Sequence, residues 1–478
     1  MIDVLVVGGG PVGLATAIRC AQQGLSVTVA EPRTAPVDKA CGEGVLPAAV
    51  RRLAELGVVP DGHPLHGIRY LDARHRADAP FRHGHGLGVR RTVLHAALAE
   101  RAAALGITVI PQRVSGFDRH AGHVAAAGIE ARYLVAADGL HSTIRRTLER
   151  ESPAGNQRGR PARNGAASNG AASNGAPRNP APPRYGLRRH YRVPPWTDMV
   201  EVYWSASAEA YVTPVSPDTV GVALLFAKPP RTRAPDAGGT GPRDEAGTDG
   251  DYDARLAAFP ALLDRLGGAP SASEVRGAGP LRHDVARRVH GRVLLVGDAS
   301  GYLDALTGEG IGVGLAQADV LARCLAAGRA EEYERAWRRV SGPAWRFTAG
   351  VLWSRNQRLL GPCIVPAAQR LPWLMSALVN YAAQALARQR RTRAVITAGR
   401  MRSRREAGAP SVNAGRCDRS PPRREAHRGS SRTVFREGDI RCGPGDPSRT
   451  GQLSLTRRRR WVFHCHVQFP RGCCSWSQ

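Results

Sequence analysis

The stretch Ile2-Asp3-Val4-Leu5-Val6-Val7-Gly8-Gly9-Gly10-Pro11-Val12-Gly13 decides the fold of this chain. Its first half is a short apolar run that predicts a buried strand, and its second half is a glycine-rich turn. Helical periodicity follows over Val12 to Gln23, and a second apolar run follows over Ser26 to Ala30. The order strand, helix, strand predicts a βαβ unit.

Three glycines of this stretch, Gly8, Gly10 and Gly13, fit the dinucleotide-binding pattern G-x-G-x-x-G. Gly8 is expected to permit the tight turn, Gly10 to let the backbone approach a pyrophosphate, and Gly13 to let the helix pack closely on the strand. Free amides at the helix N-terminus favour the anion. Glu31 follows the second strand, where a carboxylate can accept hydrogen bonds from ribose hydroxyls. This pattern does not distinguish NAD from FAD.

Two more motifs lie far along the chain. The segment Leu134-Val-Ala-Ala-Asp-Gly-Leu-His-Ser-Thr-Ile-Arg145 predicts a strand that ends at the turn Asp138-Gly139. The segment Arg292-Val-Leu-Leu-Val-Gly-Asp-Ala-Ser-Gly-Tyr-Leu-Asp-Ala-Leu-Thr-Gly-Glu-Gly-Ile-Gly-Val-Gly314 predicts a strand that ends at Gly297-Asp298. A helix from about Ile311 to Leu325 follows it.

Together and in this order, the three motifs resemble FAD-dependent monooxygenases and geranylgeranyl reductase-like flavoproteins, the fold group of para-hydroxybenzoate hydroxylase. The resemblance covers most of residues 1–390. It implies that Asp298 hydrogen-bonds the ribityl chain of FAD, and that Asp138-Gly139 packs near the pyrophosphate and helps to accommodate NADPH. It also implies that the helix beginning at Gly308-Glu309-Gly310 directs its amides at the flavin and stabilises the reduced form. The expected cofactors are therefore FAD and, as a transient electron donor, NAD(P)H.

The resemblance adds further candidates. Arg91 stands where this family usually has an arginine that contacts FAD, and Arg90 is a near-equal alternative by spacing. The loop Lys39–Pro47 resembles a flavin-lining loop of the reductases, which puts Cys41 either beside the flavin or in the core. Tyr211 is expected to line the pocket or to be a core residue of its strand. Catalytic residues stay unassigned beyond the pocket candidates Tyr211 and Cys41. The expected cofactor-binding residues are Gly8, Gly10, Pro11, Val12, Gly13, Glu31, Gly42, Glu43, Gly44, Arg91, Asp138, Gly139, Gly297, Asp298, Gly308, Gly310 and Ile311.

The predicted fold class is α/β, with a discontinuous Rossmann-type FAD-binding domain and an inserted, mainly antiparallel β-sheet substrate domain. A helical C-terminal region and a disordered tail complete it. Alternating segments over Met199–Trp204 and Ala210–Phe226 predict the inserted sheet. The repeated Asn-Gly-Ala-Ala-Ser of Asn164–Ser173 indicates a flexible insertion, and residues 228–250 are similarly linker-like. The expected bounds are 1–150 and 281–330 for the FAD-binding domain, 151–183 for the insertion, 184–280 for the substrate domain, 331–398 for the helical region and 399–478 for the tail.

Composition limits the partners and the compartment. The net charge is +28, but only two of the 68 basic residues are lysines, which suggests arginine-favouring codon usage. Such a charge permits anionic partners, yet no basic module with interleaved aromatic residues indicates nucleic acid. The nine cysteines form no disulfide framework, and neither a signal peptide nor a spanning segment is recognised, so a cytoplasmic protein is expected. Trp461–His466 superficially resembles a copper-ligand fragment. Because no partner histidine motifs accompany it, no metal is expected.

The motifs also rank the possible reactions. No second G-x-G-x-x-G follows a strand, which favours the flavoproteins with a single dinucleotide domain: hydroxylases, geranylgeranyl reductases and halogenases. The halogenase signature W-x-W-x-I-P is absent, and neither Lys39 nor Lys228 is convincingly placed for that chemistry. The strand Ala210–Pro214 keeps the tyrosine and proline of a prenyl-reductase strand but not its Trp and Phe. Ser300-Gly301 and Asp304-Ala305, by contrast, depart from the hydroxylase norm toward the reductases.

The expected function is therefore that of an FAD-dependent monooxygenase. It would hydroxylate a phenolic or lipid-like small molecule with NAD(P)H and O2 through a C4a-hydroperoxyflavin. A reductase of a polyprenyl lipid double bond and a non-catalytic flavin-binding protein remain as alternatives, and the oligomeric state is open. The apolar, arginine-flanked region Trp345–Arg388 predicts a cap over a substrate tunnel, a peripheral membrane contact or simple domain packing.

Overall fold

The computed structural model describes residues 1–151, 183–227, 249–357 and 359–384. The expected insertion at 151–183, the linker at 228–250 and the tail at 399–478, with Trp461–His466, lie wholly or almost wholly outside the described residues. The elements up to residue 151 are β1 (Ile2–Val7), α1 (Pro11–Gln22), β2 (Val27–Ala30), β3 (Gly44–Val45), α2 (Pro47–Leu56), β4 (His63–Leu65), β5 (Gly67–Leu71), β6 (Arg76–Pro80), β7 (Gly86–Gly88), α3 (Arg91–Ala104), β8 (Thr108–Ile110), β9 (Asp118–Arg119), β10 (Val124–Ala126), β11 (Ile129–Ala136) and α4 (Thr143–Glu151).

The remaining strands and helices form the second half of the fold. They are β12 (Arg184–Arg192), β13 (Met199–Trp204), β14 (Ala208–Ser216), β15 (Thr219–Ala227), α5 (Asp249–Leu256), α6 (Pro260–Leu266), β16 (Arg276–Ala278), β17 (Val289–His290), β18 (Val293–Leu295), α7 (Gly310–Ala326), α8 (Tyr333–Asn356), α9 (Ile364–Arg370) and α10 (Pro372–Gln384). Short 3-10 turns occupy Gly297–Ser300, Ala330–Glu332 and Gly361–Cys363.

The first sheet has the strand order β17-β18-β11-β1-β2-β8, with the hairpin β9-β10 attached to β11. The pairings of β1 with β2 and β11, of β11 with β18 and of β2 with β8 are parallel. Because parallel strands point the same way, the turns that follow β1, β2, β11 and β18 meet at one edge of the sheet. β18 therefore brings residues near 300 beside the N-terminal turn, as the expected discontinuous domain requires.

Close packing of glycines fixes this edge. A Cβ atom on Gly13 would lie 1.8 Å from the carbonyl oxygen of Gly8, and Gly8 itself has a φ of +103°. Val12 fills the space that two distant glycines leave free: a Cβ atom would come within 3.1 Å of Val12 at Gly297 and within 2.4 Å at Gly314. The N-terminal motif and the C-terminal motif therefore pack against each other directly.

The second sheet has the order β16-β12-β15-β14-β13-β5-β6. Its pairings are antiparallel except for the parallel pairing of β13 with β5. β5 and β6 come from residues 67–80, in the part of the chain that the sequence analysis assigned to the FAD-binding domain. The sequence did not predict that β5 and β6 join the second sheet, because the order of apolar and polar residues in these strands fits either sheet. β3, β7 and β4 form a small third sheet.

A buried charge cluster connects the second sheet to the C-terminal helices. Arg184 of β12 donates to Glu209 of β14 at 2.6 Å and lies 3.1 Å from Asp304, and Arg355 of α8 also donates to Glu209. The carboxyl group of Glu209 is fully buried. The two arginines balance the two acids, which is the condition under which buried charges are tolerated.

We expect Glu209→Gln to lower the free energy of unfolding by about 3 kcal/mol, because it leaves two buried guanidinium groups facing a single carboxylate. Glu274→Gln is the matched control, since Glu274 pairs with Arg276 but is 80% exposed, and its effect should stay below about 1 kcal/mol. Urea unfolding followed by circular dichroism measures both. Equal midpoints for the two variants would contradict a structural role for the cluster.

Candidate cofactor and substrate site

One continuous cavity of about 2100 Å³ begins at the carboxyl edge of the first sheet and extends along the second sheet to α10. Gly13 is the one expected cofactor-binding residue that does not line it, because Gly13 packs against Gly8 instead. The expected residues that line the cavity are Gly8, Gly10, Pro11, Val12, Glu31, Cys41, Gly42, Glu43, Gly44, Arg91, Asp138, Gly139, Tyr211, Gly297, Asp298, Gly308, Gly310 and Ile311.

The turn between β1 and α1 provides the cradle for a pyrophosphate. A Cβ atom on Gly10 would meet only the guanidinium of Arg91, at 3.9 Å, so the backbone face of this turn is open. α1 begins at Pro11, whose missing N–H costs nothing at a helix start. The helix N-terminus and Arg91 both favour an anion at the open face.

Glu31 lies at the end of β2, beside this turn. Its carboxylate accepts hydrogen bonds from the N–H of Gly9 at 2.8 Å and from Arg33 Nε and Nη2 at 2.8 and 2.9 Å. Burial alone would raise the pKa of Glu31, but the hydrogen bonds from Arg33 and Gly9 outweigh it and lower the pKa. The group therefore stays ionised at neutral pH, as an acceptor for ribose hydroxyls must.

α3 supports the glycine turn through two residues on one face. Arg91 lines the cavity, and within the described part of the chain its buried Nε has no hydrogen-bond partner, whereas Arg90 is absent from the lining. Four residues further along, His95 Nε2 lies 3.0 Å from the carbonyl oxygen of Gly9. Burial lowers the pKa of His95, so the neutral ring donates to that oxygen. Sequence reasoning missed His95, although its spacing from Arg91 places both on the same helix face.

The loop from Asp38 to Gly44 is attached to the second sheet. Arg188 of β12 donates to the carboxylate of Asp38, and Thr213 of β14 donates to the carbonyl oxygen of Gly42 at 2.8 Å. This loop carries Cys41 on the cavity wall, where its Sγ lies 3.4 Å from the N–H of Glu43. The second sheet thus sets the position of the loop that faces the cofactor cradle.

Glu43 connects this loop to two other parts of the site. Its backbone is left-handed, with a φ of +58°, and its buried carboxylate lies 2.6 Å from His190 Nε2 of β12. The other carboxylate oxygen accepts the backbone N–H of Arg91 at 2.8 Å. Glu43 therefore joins three parts of the site: the loop of Cys41, the second sheet and the start of α3. The sequence identified Glu43 from the motif but gave no sign of its partner His190.

Asp138 and Gly139 form the turn after β11. Asp138 Oδ2 accepts the backbone N–H of Thr143 at 2.8 Å and so stabilises the start of α4. Its other oxygen is buried without a hydrogen-bond partner among the described residues, and burial raises the pKa of this carboxyl. Gly139 adopts a φ of +82°, which favours glycine.

Asp298 follows the strand β18 in a 3-10 turn. Gly297 before it has a φ of +64° and donates its N–H to Gln317 Oε1 at 2.8 Å, which ties the turn to α7. The Asp298 carboxylate lies 3.8 Å from Lys39 Nζ, and both side chains are about one-third exposed. Lys39 and Asp298 thus form an ion pair on the cavity wall, where the ribityl chain is expected.

Glu309 lies at the start of α7. Both of its carboxylate oxygens are buried, with no hydrogen-bond partner in the described part of the chain, and burial raises its pKa to about 7. The side chain faces a small space between α2 and α10 that Ala48 and Ala383 also line. In its neutral form Glu309 adds no negative charge beside the helix N-terminus, which keeps that end favourable for an anionic flavin.

Beyond the cradle, the cavity becomes apolar. Tyr211 lines it, but the Tyr211 hydroxyl donates to the carbonyl oxygen of Leu306 at 2.8 Å, and burial raises its pKa well above the usual value. A tyrosine held in this way fixes the loop before α7 and is poorly suited to act as a base. The apolar wall is formed by Leu65, Ile68, Tyr70, Phe81, Val200, Val202, Trp204, Leu225, Phe226, Leu374 and Leu378.

The described residues fit FAD on four counts: an open glycine turn, an ionised carboxylate after β2, an arginine over the turn and a helix start beyond Asp298. Among the same residues, no group of three His, Cys, Asp or Glu side chains is arranged to hold a metal ion. In the described segments, no helix is long and apolar enough to cross a membrane. The fold and this geometry define the chain as an FAD-binding flavoprotein.

Comparison with known proteins supports this class. Residues 1–165 match the protein family described as "FAD binding domain". Menaquinone reductase of Mycobacterium tuberculosis is 48% identical over 56 residues, which is 12% of this chain and 14% of that protein. Rifampicin monooxygenase of Streptomyces venezuelae is 32% identical over 162 residues, or 31% of this chain and 34% of that protein. The matches therefore span about a third or less of these relatives.

A solved flavoprotein has a similar fold. The flavoprotein/dehydrogenase from Cytophaga hutchinsonii superposes with a TM-score of 0.60 at 18% identity, covering 80% of this chain and 93% of that protein. The N-terminal part of the chain is thus similar to the FAD-binding domains of the family named above. For the described residues, the α/β fold class expected from the sequence is confirmed, and so is FAD as the cofactor.

The two glycines of the cradle should respond differently to the same substitution. Gly13→Val should prevent folding, because its Cβ atom would overlap the carbonyl oxygen of Gly8. Gly10→Val should fold, since Gly10 has an ordinary extended backbone and open space at Cβ, but its side chain would occupy the pyrophosphate site. We expect FAD affinity to fall by at least about tenfold. Flavin absorbance after gel filtration measures this, and full occupancy in Gly10→Val would contradict the assignment.

Glu309 makes stability depend on pH. Its pKa is raised to about 7 in the folded chain from the ordinary value of 4.5, so between these values the folded state binds more protons than the unfolded state. Stability should therefore fall as pH rises from 4.5 to 7, by up to about 1.4 kcal/mol per pH unit from this group. Glu309→Gln should flatten that part of the profile, which urea unfolding at several pH values measures. An unchanged slope would show that Glu309 is ionised in the fold.

Proposed function

We propose that the chain is an FAD-dependent monooxygenase that hydroxylates a phenolic or lipid-like small molecule with NAD(P)H and O2. The observation that carries the proposal is the single cavity, which joins a dinucleotide cradle to a large apolar chamber. When bound, FAD supplies the redox chemistry: it takes electrons from NAD(P)H and passes them to O2. The resemblance to rifampicin monooxygenase supports the same class of reaction.

In this proposal the chain's own residues bind, orient and exclude water. Arg91, Glu31 and the amides of α1 hold the adenosine diphosphate half, while Asp298 and the start of α7 hold the remainder. Phe81, Trp204 and Tyr211 form an aromatic wall that excludes water from the substrate end of the cavity. Exclusion of water limits the release of peroxide without hydroxylation of the substrate. Exposed basic residues on the cavity wall, Arg113 and Arg146, are suited to the phosphates of NAD(P)H.

A reductase of a polyprenyl lipid double bond is the second candidate. Two observations favour it: Cys41 lines the cavity on a loop like that of the reductases, and a short segment is 48% identical to menaquinone reductase. A third alternative is a protein that binds FAD without turnover. It predicts a yellow protein that does not oxidise NAD(P)H.

Isotope labelling separates these functions. The FAD-loaded protein is incubated with NADPH and either a phenol or a menaquinone, in 18O2 or without oxygen, and the products are analysed by mass spectrometry. A monooxygenase incorporates one labelled oxygen atom and forms no product anaerobically. A product with two added hydrogens in its polyprenyl chain, rather than in its quinone ring, formed under anaerobic conditions would overturn the proposal in favour of the reductase. NADPH oxidation that no substrate stimulates would favour the non-catalytic alternative.

A further inference from the structure

The C-terminal helix α10 is anchored to β6 by polar side chains. Its polar residues face the protein: Asn380 accepts the backbone N–H of Arg82 at 2.7 Å and donates to the carbonyl oxygen of Pro80 at 2.9 Å, and Ser376 is buried beside it. These hydrogen bonds fix the rotation of the helix on β6. Val379, Ala382 and Ala383 are also buried, while larger apolar side chains of α10 stay exposed.

The outer face of α10 is large and aromatic. Trp373 is 65% exposed, and Leu374, Leu378 and Tyr381 are each about 40% exposed. Their positions, one, four and three residues apart, put them on one side of the helix. Trp353 of α8, 60% exposed, and Leu371 add to the same apolar region. A cluster of this size on a protein surface marks an interaction site.

This surface is continuous with the cavity. Leu371, Leu374 and Leu378 are exposed to solvent and also line the cavity wall, as does Trp353. At α10 the wall of the apolar chamber is therefore formed by side chains that solvent can reach. Whatever covers the outer face of α10 also meets residues of the chamber wall.

The charge around α10 indicates which kind of partner its outer face binds. From Arg335 to Arg405 the sequence contains no aspartate or glutamate, while arginines recur throughout. Arg346 on α8 and Arg370 at the end of α9 are exposed near the apolar residues. Tryptophan, tyrosine and leucine flanked by arginines match the boundary of a bilayer with anionic headgroups: the apolar side chains enter the acyl region and the guanidinium groups bind phosphates.

We propose that the outer face of α10, with Trp353 and Leu371, docks onto an anionic lipid surface and opens the apolar chamber toward it. An apolar substrate would then pass between the bilayer and the chamber without crossing water. The docking does not depend on which reaction the flavin performs. It is measured in the absence of turnover, so its failure and the failure of the proposed function are distinguishable.

Vesicle co-sedimentation of the full chain loaded with FAD tests the proposal. The vesicles are phosphatidylcholine alone or phosphatidylcholine mixed with phosphatidylglycerol, at low and physiological salt. The test variant is Trp373→Ser with Leu374→Ser. The matched control is Val109→Ser with Leu263→Ser, two exposed apolar residues on β8 and α6 that do not line the cavity. Flavin absorbance confirms that each variant is folded.

We expect the wild type and the control to sediment with the anionic vesicles, and the test variant to bind about tenfold more weakly. Equal binding of the test variant and the wild type would overturn the proposal, because charge elsewhere in the chain would then account for the attachment. Absence of binding by the wild type would also overturn it. Light scattering without vesicles tests whether the face binds a second copy of the chain instead. If the wild type is a dimer and the test variant is a monomer, the proposal is overturned and the face is a dimer interface.

Discussion

The close approach of four backbone segments at the carboxyl edge of the first sheet is the constraint on which the rest of the structure depends. Gly13 packs against Gly8 at a distance that excludes any Cβ atom, and Val12 occupies the space left by Gly297 and Gly314. Segments nearly three hundred residues apart are thereby held in van der Waals contact. The cofactor cradle lies at this packed edge, where the face of Gly10 stays open.

The second sheet does more than line the apolar chamber. Through Arg188, His190 and Thr213 it holds the loop that carries Cys41, and through Glu43 it reaches the start of α3. The cofactor cradle and the apolar chamber are thus linked by buried polar contacts. A change in the strands β12 or β14 is expected to reach the flavin site through these contacts rather than through the cavity.

Sequence patterns predicted the parts of this site that depend on backbone geometry. The glycines, the position of Glu31 after β2, and the strands that end at Asp138 and Gly297 follow from local periodicity and motif spacing. His95, His190 and Arg188 were not predicted, because their roles come from partners far away in the sequence and carry no spacing signal. For the same reason, the sequence did not predict that β5 and β6 pair with the second sheet. For Tyr211 the sequence suggested a pocket residue, but only the structure shows that its hydroxyl is already bound to Leu306.

The central claim is that the distant motifs form a single FAD site. A crystal structure of the flavin-loaded protein tests it most directly. The account predicts the pyrophosphate at the open face of Gly10 beside Arg91, the ribityl chain at Asp298, and the isoalloxazine between the loop of Cys41 and the start of α7. A nicotinamide dinucleotide in this cradle, or FAD bound away from Asp298 and α7, would contradict the account.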